Sequence, residues 1–80
     1  RTQMEKWYSY NELLELAKEK FEQAKGEFEA CGLVSRLVAR NASSAFTLLN
    51  LLDEVETYKL LQEYEEEYRR WMELDKERRK

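Results

Sequence analysis

The chain has 80 residues, is 39% charged with a net charge of −3, and holds one cysteine, two glycines, no proline and no histidine. That allows one small domain, no internal disulfide, and no zinc site, which would want about four nitrogen or sulfur ligands. The negative balance argues against nucleic-acid binding, and no apolar run nears the roughly 20 residues that span a bilayer.

Glu, Lys, Leu, Ala and Arg dominate, a composition that favours helix nearly everywhere. The expected fold is all-α and a single helical domain over residues 1–80. It is an antiparallel helical hairpin with a short middle helix, dimerising into a helical bundle.

The first helix is predicted over about residues 7–31. Trp7, Leu14, Phe21 and Phe28 recur every seven residues, and so do Tyr10, Ala17, Ala24 and Cys31, offset by three. This is an a/d seam of alternating large and small residues. Ser9 and Glu12 have the spacing of a capping box. Gly32, followed by Leu33, suits a left-handed helix end with a hydrophobic contact beyond it. Cys31 falls on the seam at a helix C-terminus, where nothing activates a thiolate, so it reads as a small buried apolar residue. Gly26, inside the helix, should cost about 1 kcal/mol against alanine.

A short second helix is predicted over about 33–40, from Val34, Leu37 and Val38. Asn41 ends it, and Ser43 and Ser44 can cap the next. Arg36 and Arg40 share a face. With Ser43, Ser44 and the free N–H groups of a helix starting there, they make a candidate anion site. An exposed polar face, or pairing with Asp53 and Glu54, is the plainer account.

The third helix is predicted over about 44–78. Its apolar stripe runs Ala45, Leu48, Leu49, Leu52, Val55, Tyr58, Leu61, Tyr64, Tyr68 and Trp71, and drifts around the helix near residues 55 to 58. Folded back on the first helix, it should set Phe46 and Leu49 near Phe28, and Tyr68 and Trp71 near Trp7 and Tyr10. The rival is one uninterrupted helix from Leu33 onward, roughly 70 Å long, whose far half needs a second chain to cover it. Glu65 with Arg69, Glu66 with Arg70 and Asp75 with Arg79 are i,i+4 pairs in the favourable order, marking a solvated face. The basic end from Lys76 to Lys80 suits the negative pole of a helix.

Residues 31–52 carry two charges, Arg36 and Arg40, whereas residues 53–80 carry seventeen. A helical segment without a charged side should be covered on all sides. Residues 41–52 are therefore expected at an interface, formed by Leu33, Leu37, Ala42, Phe46, Leu51, Tyr64 and Tyr68. No catalytic set is legible, since sites need convergent polar groups in a pocket. No enzyme activity, cofactor, small-molecule substrate, nucleic acid or membrane partner is expected. The lone cysteine and the lack of a legible leader fit the cytoplasm. The expected role is a helical interaction or oligomerisation module, a scaffold or regulatory subunit, with a second copy or another helical protein as partner. The alternative is an acidic inhibitor or antitoxin that uses its glutamate-rich third helix.

Overall fold

A computed structural model describes residues 9–79, and all of its regular structure there is helical. Three helices follow one another: α1 (Tyr10–Cys31), α2 (Arg36–Leu52) and α3 (Val55–Arg78). Tight turns reverse the chain twice, so α2 runs against α1 and α3 runs back alongside it.

α1 ends at Cys31 as expected but starts at Tyr10 rather than near residue 7, with Ser9 and Gly32 as its caps. The Ser9 hydroxyl accepts from the Glu12 N–H at 3.2 Å, and the Glu12 carboxylate accepts from the Ser9 N–H at 2.9 Å. Each satisfies a backbone donor that a helix start leaves free. At the other end Gly32 has φ 78°, and its N–H returns to the Phe28 carbonyl. Ser35 then caps α2 by accepting from the Val38 N–H.

The second break lies elsewhere than expected. Helix continues through Asn41, Ala42, Ser43 and Ser44, and the chain turns instead at Asp53 and Glu54. The middle helix is therefore long, Arg36–Leu52 rather than 33–40, and the third starts at Val55 rather than 44. Serine and asparagine are weak helix breakers, and burial overrides them here. Val38, Ala42, Ala45 and Leu49 are fully buried on one face of α2, and Asn41 beside them is only 8% exposed. At the true break, Asp53 takes the left-handed conformation (φ 52°) and its N–H bonds the Leu49 carbonyl. The Glu54 N–H donates to the Thr57 hydroxyl at 2.9 Å, and that hydroxyl donates back to the Glu54 carbonyl at 2.8 Å. The drift of the apolar stripe, near residues 55 to 58, falls just past this break.

The register differs as well. Because α3 runs parallel to α1, Trp71 stacks on Phe28 (ring centroids 5.2 Å apart) and on Phe21 (5.1 Å), not near Tyr10. The start of α3 lies at Tyr10 instead, whose hydroxyl donates to Glu56 at 3.2 Å. Trp7 lies outside the described residues. Leu49 packs with Ala17 and Leu61, away from Phe28, and Phe46 lies nearer Phe21, at 6.2 Å. Val55 and Tyr58, expected on the buried stripe, are exposed.

The core runs the length of α1 along Ala17, Phe21, Ala24 and Phe28. Cys31 does not extend it and is exposed. A straight α-helix drifts about 20° per heptad against a strict seven-residue repeat. Three heptads after Tyr10 the seam has turned away from the core.

Candidate functional site

With α2 built as one helix, its inner face belongs to the core and its outer face to solvent. Arg36, Arg40, Ser43, Thr47, Asn50 and Leu51 all lie exposed on that outer face. Leu51 is 73% exposed, and Leu37, on the flank near α1, is 45% exposed. Two shallow grooves border the flank. One is lined by Lys20 of α1 with Arg40, Ser43, Ser44, Thr47 and Leu48; the other by Gln23, Gly26 and Glu27 with Leu37 and Asn41.

This face differs electrostatically from the rest of the molecule. The α2 segment has two arginines and no acid, whereas α1 has six glutamates against three lysines. Neither arginine has a carboxylate within 4 Å among the described residues, where the ion pairs are Lys25–Glu67 and Asp75–Arg79. Pairing of Arg36 or Arg40 with Asp53 or Glu54 is thus not formed among them. Nor do Glu65–Arg69 and Glu66–Arg70 close to that distance; Asp75–Arg79 does, at 2.9 Å.

The expected site residues separate. Arg40, Ser43 and Ser44 share one groove, and Arg36 lies a turn away on the same face. The free N–H groups that would have completed an anion site are missing, because Ser43 and Ser44 lie mid-helix with their N–H groups in the helix ladder. Among the interface residues, Leu37 and Leu51 are exposed. Leu33 is half-buried. Ala42 is fully buried within the chain's own three helices, out of reach of any surface contact. Phe46, Tyr64 and Tyr68 are partly buried and pack on the chain's own core. A residue without a charge marks burial as readily as an interface, so the sequence could not separate Ala42 from Leu51.

Val55, Tyr58, Met72 and Leu74 are exposed as well, and nothing in the apolar pattern separates them from core residues. Val55 and Tyr58 flank the turn that the sequence reading misplaced. The Tyr58 hydroxyl donates to Asp53 at 2.6 Å, and this bond to a carboxylate holds its pKa above the usual tyrosine value.

At the opposite end, α3 grips the α1–α2 turn. Asp75 accepts from the Val34 N–H at 3.2 Å. Arg79 Nε donates to both Asp75 oxygens at 2.9 Å, and Arg78 donates to the Gly32 carbonyl. Two of the terminal basic residues thus serve the fold as well as the helix pole; Lys80 lies outside the described residues.

Among the described residues, no group of three or more His, Cys, Asp or Glu is placed to hold a metal ion, and no helix is long and apolar enough to cross a membrane. Comparison with known proteins gives no match at the level of family models, curated proteins or solved structures.

Proposed function

We propose that this chain is a helical protein-interaction module that docks a partner helix through the outer face of α2. The observation that carries the reading is Leu51, 73% exposed on the one helix that has no acidic residue. A leucine so exposed loses little by leaving the surface, and burying one contributes about 1.5–3 kcal/mol. Ser43, Thr47 and Asn50 beside it are small and uncharged, so a partner covers them without stranding a charge. Leu37 and the grooves toward α1 widen the contact. A second copy of the chain is the simplest partner, since twofold pairing is the commonest oligomer geometry.

The test sets Leu51 against Leu49, two residues away and fully buried. Sedimentation equilibrium and circular dichroism should show Leu49→Glu unfolded, and Leu51→Glu helical but more weakly associated than the wild type. A Leu51→Glu protein that associates as the wild type does would remove the α2 face from the reading.

A second reading rests on α3. Its Glu63, Glu65 and Glu66 are exposed and have no cation within 4 Å among the described residues. Such a face suits a basic partner site, as an acidic inhibitor or antitoxin would use. Binding through it would weaken steeply with salt, whereas docking through the α2 face would not.

A further inference from the structure

We propose that the seat occupied by α3 accepts the α3 of a second copy of this chain, with α2 and α3 joined through Asp53 and Glu54 into one continuous helix. This exchange uses no residue of the exposed α2 face. It therefore stands or falls apart from docking through that face.

The turn between α2 and α3 is the first ground. It has only two residues, Asp53 and Glu54, with no glycine or proline among them or their neighbours. Asp53 is the one residue other than glycine with positive φ among the described residues. A left-handed conformation strains a residue with a Cβ, though aspartate bears it better than most. The hydrogen bonds flanking the turn, Asp53 N–H to Leu49 and Tyr58 N–H to Glu54, are already of the α-helical i to i−4 kind. What the turn interrupts is the ladder for Glu54, Val55, Glu56 and Thr57. The Thr57 hydroxyl satisfies Glu54 and the Glu54 side chain answers the Thr57 N–H in a capping box, while the Val55 and Glu56 N–H groups lie at a helix start, where no intrahelical partner exists. Straightening relieves Asp53 and gives all four a carbonyl one turn back. The product is a helix from Arg36 to Arg78, about 65 Å long at about 1.5 Å per residue.

The second ground is the seat. Lifted away, α3 would uncover Phe21 and Phe28 of α1 and the rim of the alanine-lined contact with α2, an apolar area that cannot stay wet. An occupant must offer rings to stack on Phe21 and Phe28, a carboxylate for Lys25 and the Val34 N–H, and a guanidinium for the Gly32 carbonyl. The chain's own α3 supplies these through Tyr64, Trp71, Glu67, Asp75 and Arg78. A second copy supplies the identical set. Each contact of the closed form recurs between chains, so closed and exchanged forms differ mainly in the two hinges. Short, strained hinges favour such exchange.

The experiment reads which chain each α3 rests on. Lys25→Cys and Glu67→Cys are combined in a Cys31→Ser background, since Lys25 and Glu67 pair across α1 and α3. The protein is refolded at high concentration, separated by size exclusion, and treated with a short bis-maleimide. The dimer fraction should give a two-chain band on a denaturing gel, and the monomer fraction a single chain linked internally. Asp53→Ala, which keeps the strain and raises helix propensity, should move the monomer–dimer constant toward dimer by about tenfold per hinge. Asp53→Gly, which removes the strain, should move it toward monomer by a similar factor. Circular dichroism checks that both remain helical. A dimer fraction whose cross-links all stay within one chain overturns the exchange. So does an Asp53→Ala protein, helical and monomeric at the highest soluble concentration. Leu51→Glu should leave the two-chain band unchanged; if it abolishes that band, the dimer belongs to the α2 face and the exchange fails.

Discussion

Where α1 meets α2, alanines set the approach: Ala17, Ala24, Ala42 and Ala45 have no exposed surface, Val38 and Leu49 are buried beside them, and these two helices are the closest pair. Where α3 meets them, rings stand between the helices. Phe21 and Tyr64 stack with centroids 3.8 Å apart, Trp71 covers Phe21 and Phe28, and Tyr68 sets its edge toward Phe46 and Trp71. Alanines let helix backbones approach, spread the contact over many small groups and lose no rotamer freedom on burial. Rings hold α3 at a greater distance and concentrate its attachment in a few side chains, each stacked pair adding about 0.5–1.5 kcal/mol beyond its buried area. The molecule thus joins a closely fitted pair to a third helix held by rings at one end and polar clasps at both.

The sharpest way to break this contrast is to remove the ring that both contacts share. Phe21 is 1% exposed and touches Phe46 of α2 and Tyr64 and Trp71 of α3. Phe21→Ala should cost about 3–5 kcal/mol in urea denaturation, a large share of what a domain of this size has. Glu22→Ala, on the exposed side of the same turn, should change stability by less than about 0.5 kcal/mol. Equal losses in the two would mean that α3 does not rest on Phe21.

The seam of α1 was legible because its large and small residues alternate at a fixed spacing and both caps carry their usual residues. The all-helical class was legible from composition. The α2–α3 turn was not. At Gly32 the left-handed residue is the one the conformation favours; at Asp53 the same backbone shape is held by a residue that also suits a helix interior or a cap. The serines and asparagine at 41–44 looked like a better break, and only the packing of Ala42 and Ala45 removes it. Of the residues the sequence offered for a site, Arg36, Leu37, Arg40, Ser43 and Leu51 are exposed, whereas Ala42 is buried. An uncharged stretch reports which residues avoid charge, not which side of the helix faces the core, and the side depends on where the turn falls.

The two glycines sharpen the comparison at a smaller scale. At Gly32 a Cβ would take up the left-handed conformation and collide with the Arg78 guanidinium that clasps the turn. Gly32→Ala should cost about 1–2 kcal/mol from the backbone alone. Gly26, inside α1, has nothing within 4 Å of where a Cβ would stand. Gly26→Ala should therefore stabilise the protein by about 1 kcal/mol through helix propensity. Thermal unfolding of the two variants should move in opposite directions. A fall in both would mean that the groove at Gly26, Leu37 and Asn41 needs the open space for the protomer itself.

The gentlest probe is alkaline pH, which acts on the ring contact and spares the alanine one. Burial raises the pKa of both Tyr64 and Tyr68 above the usual value, and Glu22, Glu63 and Glu67 raise that of Tyr64 further by disfavouring a second negative charge nearby. The folded state then prefers the neutral phenols. Their contribution is complete below the unfolded tyrosine pKa of about 10 and fades as pH rises through the folded value. Ultraviolet titration should show these tyrosines ionising late, with stability falling over the same range above about pH 10. Because α1 and α2 meet without a tyrosine between them, the loss should appear first as loosening of α3, read by Trp71 fluorescence before helix content falls. The double variant Tyr64→Phe and Tyr68→Phe should lose this early fluorescence change while keeping the rings. If fluorescence and helix content instead fall together in the wild type, α3 is as firmly fixed as α2 and the ring-borne contact is no weaker than the alanine-lined one.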